Sequence, residues 1–214
     1  MTKELFKRIL STIFLIPLVF FFIAKGSFYF NFFIFLCFVI TLYEWYQMNT
    51  KKDSFIYGTI FLVFSFYTVY NLRNDGDLNF FLLIVITCIA TDIGGYIFGK
   101  TFKGPKLTNI SPNKTYAGMF GSFFLSIISM NFFFNNFSRL DLGLNIEITK
   151  QLIIIVLLTS LVSQIGDLIV SFFKRKSKIK NTGILIPGHG GLLDRIDGMI
   201  FAFPFVFLLS KFFL

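Results

Sequence analysis

Apolar residues run through this chain in long blocks separated by short polar segments. A helix rises about 1.5 Å per residue and the hydrocarbon core of a bilayer is about 30 Å thick, so a spanning helix needs about 20 mostly apolar residues. Blocks near that length fall at residues 9–24, 28–46, 55–71, 78–98, 115–137, 151–173 and 196–214. The pattern predicts an all-α fold, a polytopic membrane helical bundle of about seven transmembrane helices in a single membrane domain, 1–214.

The composition agrees with that architecture. Hydrophobic residues make up 55% of the chain and charged residues 14%, with a mean hydropathy of +0.75, whereas about 25% of a soluble domain is charged. The charged segment 1–8 precedes an apolar block that lacks a small-residue cleavage site, so we expect an uncleaved first span. Cys37 and Cys88 lie inside apolar blocks, which favours packing roles over a disulfide or a zinc site.

The net charge of +9 comes from basic residues between the apolar blocks. With the N-terminus in the cytosol, fifteen of the 20 Lys and Arg residues fall on the cytosolic side, as the positive-inside rule requires. Membrane orientation therefore explains the charge, and we expect no nucleic-acid partner. The long basic loops, 99–114 and 174–195, both fall on the cytosolic face, where we expect the chemistry.

Two carboxylates, Asp92 and Asp167, lie inside predicted spans. A charge in hydrocarbon costs roughly 2.5 to 3.5 kcal/mol on insertion scales, so each is a functional candidate, with an interhelical hydrogen-bonding pair as the structural alternative. Polar residues lie at helical spacing before and after Asp167, and a second set lies at helical spacing after Asp92. The Asp167 stripe is Ser163, Gln164, Ser171 and Lys174; the Asp92 stripe is Tyr96 and Lys100, with Gly94, Gly95 and Gly99 permitting close helix approach.

A glycine-rich segment lies within the second basic loop. Gly188, Gly190 and Gly191 allow backbone N–H groups to approach a phosphate. Asp194 and Asp197, three residues apart, would share one face at the start of the last span; a capped helix start is the alternative. Together with Asp167, they offer the hard oxygen ligands that Mg²⁺ prefers. His189, the single His, is either a turn residue or a group that contacts phosphate or moves a proton.

These residues carry a family resemblance. The series Ser171, Lys174, Arg175, Lys180, then residues 187–191, then Asp194, Arg195 and Asp197 closely resembles the signature of phosphatidate cytidylyltransferases, or CDP-diacylglycerol synthases. Residues 90–100, 111–115 and 164–168 extend the match. It covers a catalytic portion, 88–204, whereas the N-terminal spans, 1–87, match only in apolar, Phe-rich character. Asn181 stands where the family usually has Asp, and Tyr116-Ala117 where many members have Trp-Glu.

The resemblance implies a transferase of phospholipid synthesis that converts CTP and phosphatidate into CDP-diacylglycerol and pyrophosphate. It implies Mg²⁺ as cofactor, with a second cation open, in a multi-pass protein of the bacterial inner (plasma) membrane whose active site faces the cytosol. The expected metal ligands are Asp167, Asp194 and Asp197. The expected catalytic residues add Lys174, Arg175, His189 and Arg195. The expected substrate-binding residues are Ser171, Lys180, Gly188, Gly190, Gly191, Asp92, Lys100 and Lys114.

Other functions fit part of this pattern. A CTP-dependent lipid-alcohol kinase needs the same metal and basic groups but transfers the γ-phosphoryl group. A CDP-alcohol phosphotransferase matches at Asp197-Gly198, yet its Ala-Arg pair three residues on is absent. A cation- or proton-coupled transporter would also carry Asp92 and Asp167, but nearer the midplane and with paired broken helices. Helix-packing glycines leave a homodimer open beside a monomer.

Overall fold

A computed structural model describes residues 3–48, 52–108, 111–137, 150–186, 188 and 190–213. Over these residues the fold is all-helical, and two isolated β-bridges are its only extended pairing. The helices are α1 (Lys3–Lys25), α2 (Ser27–Met48), α3 (Lys52–Asn74), α4 (Leu78–Phe102), α5 (Tyr116–Phe137), α6 (Lys150–Lys176), α7 (Leu193–Ile196) and α8 (Met199–Phe213).

The first six apolar blocks each form one helix, as the pattern predicts. The last block differs. It begins with a separate one-turn helix, α7, and α8 starts only at Met199. Asp194 therefore lies on α7 and Asp197 at its C-terminal end, and the prediction that both sit at the start of the last span is wrong. Gly198 interrupts the helix there; its Cα packs against Ser163, where a side chain would collide with the hydroxyl.

The chain is a multi-pass membrane protein by the length and apolar character of its helices. Five described helices are long and apolar enough to cross a bilayer. They are Ser27–Met48, Ser54–Asn74, Leu78–Phe102, Tyr116–Asn135 and Lys150–Lys176, and the shorter apolar helices are Leu15–Lys25 and Met199–Lys211.

The helices form two compact units. Unit 1 comprises Met1–Gly76 and Phe173–Asp197. Its hub is the C-terminal turn of α2: Trp45 donates from Nε1 to the Phe55 carbonyl (3.3 Å) and packs edge-on against Phe173, with ring centroids 5.1 Å apart. The Ser177 hydroxyl donates to the Met48 carbonyl. These contacts fix the end of α2 beside the residues that follow α6.

Unit 2 comprises Asp77–Phe172 and Gly198–Leu214, and α4 and α5 pack closely within it. At Gly94 an added Cβ would lie 2.5 Å from the Gly121 carbonyl oxygen, so only glycine permits this approach. The Ser122 hydroxyl, on α5, donates to the Thr91 carbonyl at 2.7 Å. The close helix approach predicted from Gly94, Gly95 and Gly99 is therefore confirmed, and α4 is the helix that carries Asp92.

Candidate active site

Asp194, in unit 1, organises the α6–α7 loop, residues 177–192. Its Oδ1 accepts a hydrogen bond from Lys174 Nζ at 2.9 Å. Its Oδ2 accepts from the backbone N–H groups of Thr182 (2.8 Å) and Gly191 (3.1 Å). The side chain is only 7% exposed. One carboxylate thus ties both ends of the loop's glycine-rich half to the last turn of α6.

Lys174 places one ammonium group between two carboxylates. Besides its bond to Asp194, its Nζ lies 3.5 Å from Asp197 Oδ2. The side chains of Lys174 and Asp197 are 12% and 9% exposed, so solvent screens the cluster little. Asp194 and Asp197 therefore share this one ammonium group.

The turn at residues 186–190 has the geometry that its glycines predict. The backbone N–H and carbonyl groups of Ile186 and Gly190 exchange hydrogen bonds of 2.9 and 3.1 Å. Gly188 and Gly190 have φ of 78° and 92°, a left-handed conformation that favours glycine. Pro187 and His189 lie outside the described residues, so every prediction for His189 stays a prediction.

Glu44, on α2, is a member of this cluster that the sequence reasoning missed. It is 3% exposed. Its Oε2 accepts from the Thr182 hydroxyl and the Leu193 N–H, both at 2.8 Å, and its Oε1 accepts from the Leu192 N–H at 2.9 Å. It lies inside the predicted span 28–46, so the rule that singled out Asp92 and Asp167 would have found it.

Asp167 forms a second cluster, in unit 2. Lys114 Nζ lies 2.5 Å from Asp167 Oδ2, and the Ser171 hydroxyl donates to Oδ1 at 3.2 Å. Lys114 sits in the α4–α5 loop, residues 103–115, where the Leu107 N–H donates to the Lys114 carbonyl at 2.8 Å. Three residues predicted for the site are therefore in contact. The Asp167 and Lys114 side chains are each 27% exposed.

Comparison with known proteins connects these residues to a family. The model of the Cytidylyltransferase family matches residues 6–76 and 54–213. The chain belongs to the cytidylyltransferase family. Its relatives include the phosphatidate cytidylyltransferase of Rickettsia felis (strain ATCC VR-1525 / URRWXCal2). The two are 32% identical over an alignment of 225 positions, which covers 97% of this chain and 93% of that protein.

Two further relatives have the same name. The Rickettsia bellii (strain RML369-C) protein is 32% identical over 229 residues, 99% of this chain and 93% of its own length. The Staphylococcus aureus (strain COL) protein is 39% identical over 144 residues, 65% of this chain and 52% of its own. The resemblance to phosphatidate cytidylyltransferases is confirmed. It also extends into residues 1–87, where the sequence offered only apolar character and where Glu44 lies.

The other residues predicted for the site are more open to solvent. Arg175, Lys180 and Arg195 are exposed, as is Asn181. On α4, Asp92 is exposed, and Lys100 donates to the Tyr96 hydroxyl at 3.4 Å with its ammonium 5.5 Å from the ring centroid. Arg175, Lys180 and Arg195 thus lie at the surface, while Lys174 lies between two carboxylates.

The described part of the chain contains no group of three or more His, Cys, Asp or Glu side chains that could hold a metal ion. Asp194 and Asp197 nevertheless form a carboxylate pair around one cation. Mg²⁺ is usually bound by one or two carboxylates together with substrate phosphates, not by a cage of protein ligands. The donor chemistry of this pair fits that ion.

Proposed function

We propose that this chain transfers the cytidylyl group of CTP to phosphatidate, giving CDP-diacylglycerol and pyrophosphate. The observation that carries the proposal is the cluster of Lys174, Asp194 and Asp197, in which signature residues separated by 20 or more positions meet around one charge centre. Similarity to proteins named phosphatidate cytidylyltransferase, over nearly the whole chain, supports the choice of both substrates.

The reaction exchanges one phosphorus–oxygen bond for another. A phosphate oxygen of phosphatidate attacks the α-phosphorus of CTP and forms a new P–O bond. The bond from the α-phosphorus to the oxygen that bridges to the β-phosphorus breaks, and pyrophosphate leaves with the electron pair. The attacking oxygen is already anionic near neutral pH, so no strong general base is needed. We therefore assign His189 to phosphate contact in preference to proton transfer.

Positioning and charge neutralisation supply the catalysis. Arg175, Lys180 and Arg195 are exposed, and we assign them to the phosphate oxygens, with Arg as a forked donor and Lys as a point charge. Lys174, held by two carboxylates, fixes the cluster that faces the nucleotide. The backbone of Gly188, Gly190 and Gly191 would approach the triphosphate. In unit 2, Ser171, Lys100 and Lys114 would receive either the lipid head group or the triphosphate.

Mg²⁺ is the proposed cofactor. Asp194 and Asp197 would hold it, with Asp167 as the third predicted ligand, and the bound ion would lower the charge on the departing pyrophosphate. Asp92 is assigned to tuning the polar region or to a second cation. Chelation with EDTA should stop turnover, and adding Mg²⁺ back should restore it. Full activity in excess EDTA would contradict a metal requirement.

The proposed topology has seven spans, a cytosolic N-terminus and an active site that faces the cytosol. The five long apolar helices, with the shorter apolar stretches Leu15–Lys25 of α1 and Met199–Lys211 of α8, supply the spans. The basic loops at 99–114 and 174–195 then lie on the side where positive charge is retained and where CTP is available.

The test is product identification. Purified protein in detergent is incubated with phosphatidate, Mg²⁺ and CTP. CDP-diacylglycerol with one pyrophosphate per turnover is the expected result. CDP with a newly phosphorylated lipid alcohol, when diacylglycerol replaces phosphatidate, would indicate the kinase instead. Neither product, together with ion exchange across vesicle membranes, would indicate a transporter.

A further inference from the structure

The α6–α7 loop is held from two directions by two carboxylates. Asp194 binds the N–H groups of Thr182 and Gly191. Glu44 binds the Thr182 hydroxyl and the N–H groups of Leu192 and Leu193. Thr182 therefore bonds to both acids, through its backbone and through its side chain. The loop that carries the glycine-rich turn is therefore bonded both to Glu44 on α2 and to Asp194 on α7.

We infer that Glu44 is a positioning residue that sets the α6–α7 loop and Asp194 in the geometry needed for nucleotide binding. Its hydrogen bonds are to Thr182, Leu192 and Leu193, so it acts through these residues. Leu193 directly precedes Asp194 and is fully buried, at 0% exposure. A shift of the backbone at 192–193 would move the Asp194 carboxylate with it.

The fit around Glu44 leaves no room for change. A Cβ at Gly191 would lie 2.5 Å from Glu44 Oε2 and would collide with the Thr182 hydroxyl. A Cβ at Gly183 would lie 2.8 Å from Glu44 Oε1. Only glycine fits at position 191, because any side chain there would collide with the Glu44 carboxylate. Buried polar groups in such a close-packed site must all be paired, and Glu44 accepts three hydrogen bonds.

Glu44→Gln isolates the role of the second acceptor oxygen at nearly constant volume. If the amide nitrogen replaces Oε1, it faces the Leu192 N–H; if it replaces Oε2, it faces the Leu193 N–H. Either orientation sets a donor against a backbone donor, so at least one loop bond is lost. Glu44→Asp keeps both oxygens but shortens their reach, so it should restore part of the function.

Thr41→Val is the matched control. Thr41 lies one turn before Glu44 on α2 and is equally buried, at 0% exposure. Its hydroxyl donates at 2.7 Å to the Cys37 carbonyl of its own helix. The variant removes a buried polar group from α2 at nearly constant volume and leaves the loop bonds intact.

The first measurement is hydrogen exchange by mass spectrometry on the full chain in detergent, without substrate. In Glu44→Gln we expect the peptide covering 182–193 to exchange about tenfold faster, because backbone N–H groups lose their acceptor. Peptides from α4 and α5 should be unchanged, and Thr41→Val should match the wild type throughout. Unchanged loop exchange, or equal acceleration along the whole chain, would overturn the inference.

The second measurement is turnover, and it rests on the proposed function. We expect Glu44→Gln to lower kcat/KM for CTP about 10- to 100-fold, as is typical when a residue that orients a binding group is lost. Glu44→Asp should be intermediate. Combining Glu44→Gln with Thr182→Val should cost less than the product of the two single losses, since they share one bond. Multiplicative losses would overturn a role through Thr182. A wild type that makes no CDP-diacylglycerol would refute the proposed function and leave the exchange result standing.

Discussion

At the residue scale, the proposed site depends on one ammonium group that contacts two carboxylates, all three largely buried. Lys174 neutralises Asp194 and part of Asp197, and each of the three side chains is 12% exposed or less. Breaking one partner out of such a cluster leaves an uncompensated buried charge, which costs more than the intact pair contributes. Removing Lys174, which lies between the two carboxylates, should therefore affect folding and turnover together.

Lys174→Gln is the first test of the cluster. It removes the ammonium group that lies between the carboxylates of Asp194 and Asp197. We expect the free energy of unfolding to fall by about 3 kcal/mol, and kcat/KM for CTP to fall at least about 100-fold, as loss of a key charged donor does. Lys176→Gln, exposed and two residues away, is the control and should change stability by less than about 0.5 kcal/mol. Equal behaviour of the two variants would contradict the role of Lys174.

Asp194→Asn tests the carboxylate itself. The Asn oxygen can still accept from Thr182 and Gly191, so the loop should stay folded, while the amide group now faces Lys174 with a donor. We expect loss of turnover with an unchanged elution volume in size-exclusion chromatography. Near wild-type CDP-diacylglycerol formation by this variant would remove Asp194 from the metal site.

The sequence predicts some of these residues and not others. Asp194, Asp197 and Lys174 could be predicted because they belong to one local signature, within 24 positions of one another. The contacts of Glu44 could not be predicted, because its partners Leu192 and Leu193 lie 148 and 149 positions away and no local pattern reports such a contact. Only its charge inside an apolar block marked it.

At the scale of elements, hydropathy predicts where helices run but not where they end. The helix α4 continues four residues beyond its apolar block, to Phe102, and α6 continues through three basic residues to Lys176. Polar residues at a membrane boundary remain helical because their backbone bonds are satisfied within the helix. At the break between α7 and α8, Gly198 packs against Ser163, a tertiary contact that the apolar pattern does not contain.

Gly94→Ala tests the packing of α4 on α5. The new methyl group would lie 2.5 Å from the backbone carbonyl of Gly121, which cannot rotate away. We expect a loss of about 1 to 3 kcal/mol in unfolding free energy, as overpacking typically costs, seen as a lower midpoint of thermal unfolding in detergent. Gly99→Ala should cost less, because its methyl group meets the Thr115 hydroxyl at 3.3 Å. A larger loss at position 99 would contradict this packing.

At the scale of the whole molecule, the glycines of α4 and α5 are engaged inside the chain. Gly94, Gly95, Gly118 and Gly121 all face backbone or side-chain atoms of the partner helix. They are therefore used in the α4–α5 contact and give no separate support for a homodimer. At this scale the basic loops predict the orientation of the chain, with loops 99–114 and 174–195 in the cytosol.

Cysteine labelling tests the orientation. In a background in which Cys37 and Cys88 are replaced by Ala, Lys176→Cys and Lys25→Cys place one thiol at an exposed position of each boundary. In intact cells, a membrane-impermeant maleimide should label position 25 and spare position 176; after permeabilisation it should label both. The reverse pattern would place the basic loops outside and contradict a cytosolic active site.

The central claim, cytidylyl transfer to phosphatidate, is tested most directly by following the label from two forms of CTP with the purified protein, phosphatidate and Mg²⁺. With ³²P at the α-position, the account predicts that label moves into chloroform-soluble CDP-diacylglycerol. With ³²P at the γ-position, it predicts that all label stays in water as pyrophosphate. Transfer of γ-label into lipid, with α-label left in soluble CDP, would contradict the account.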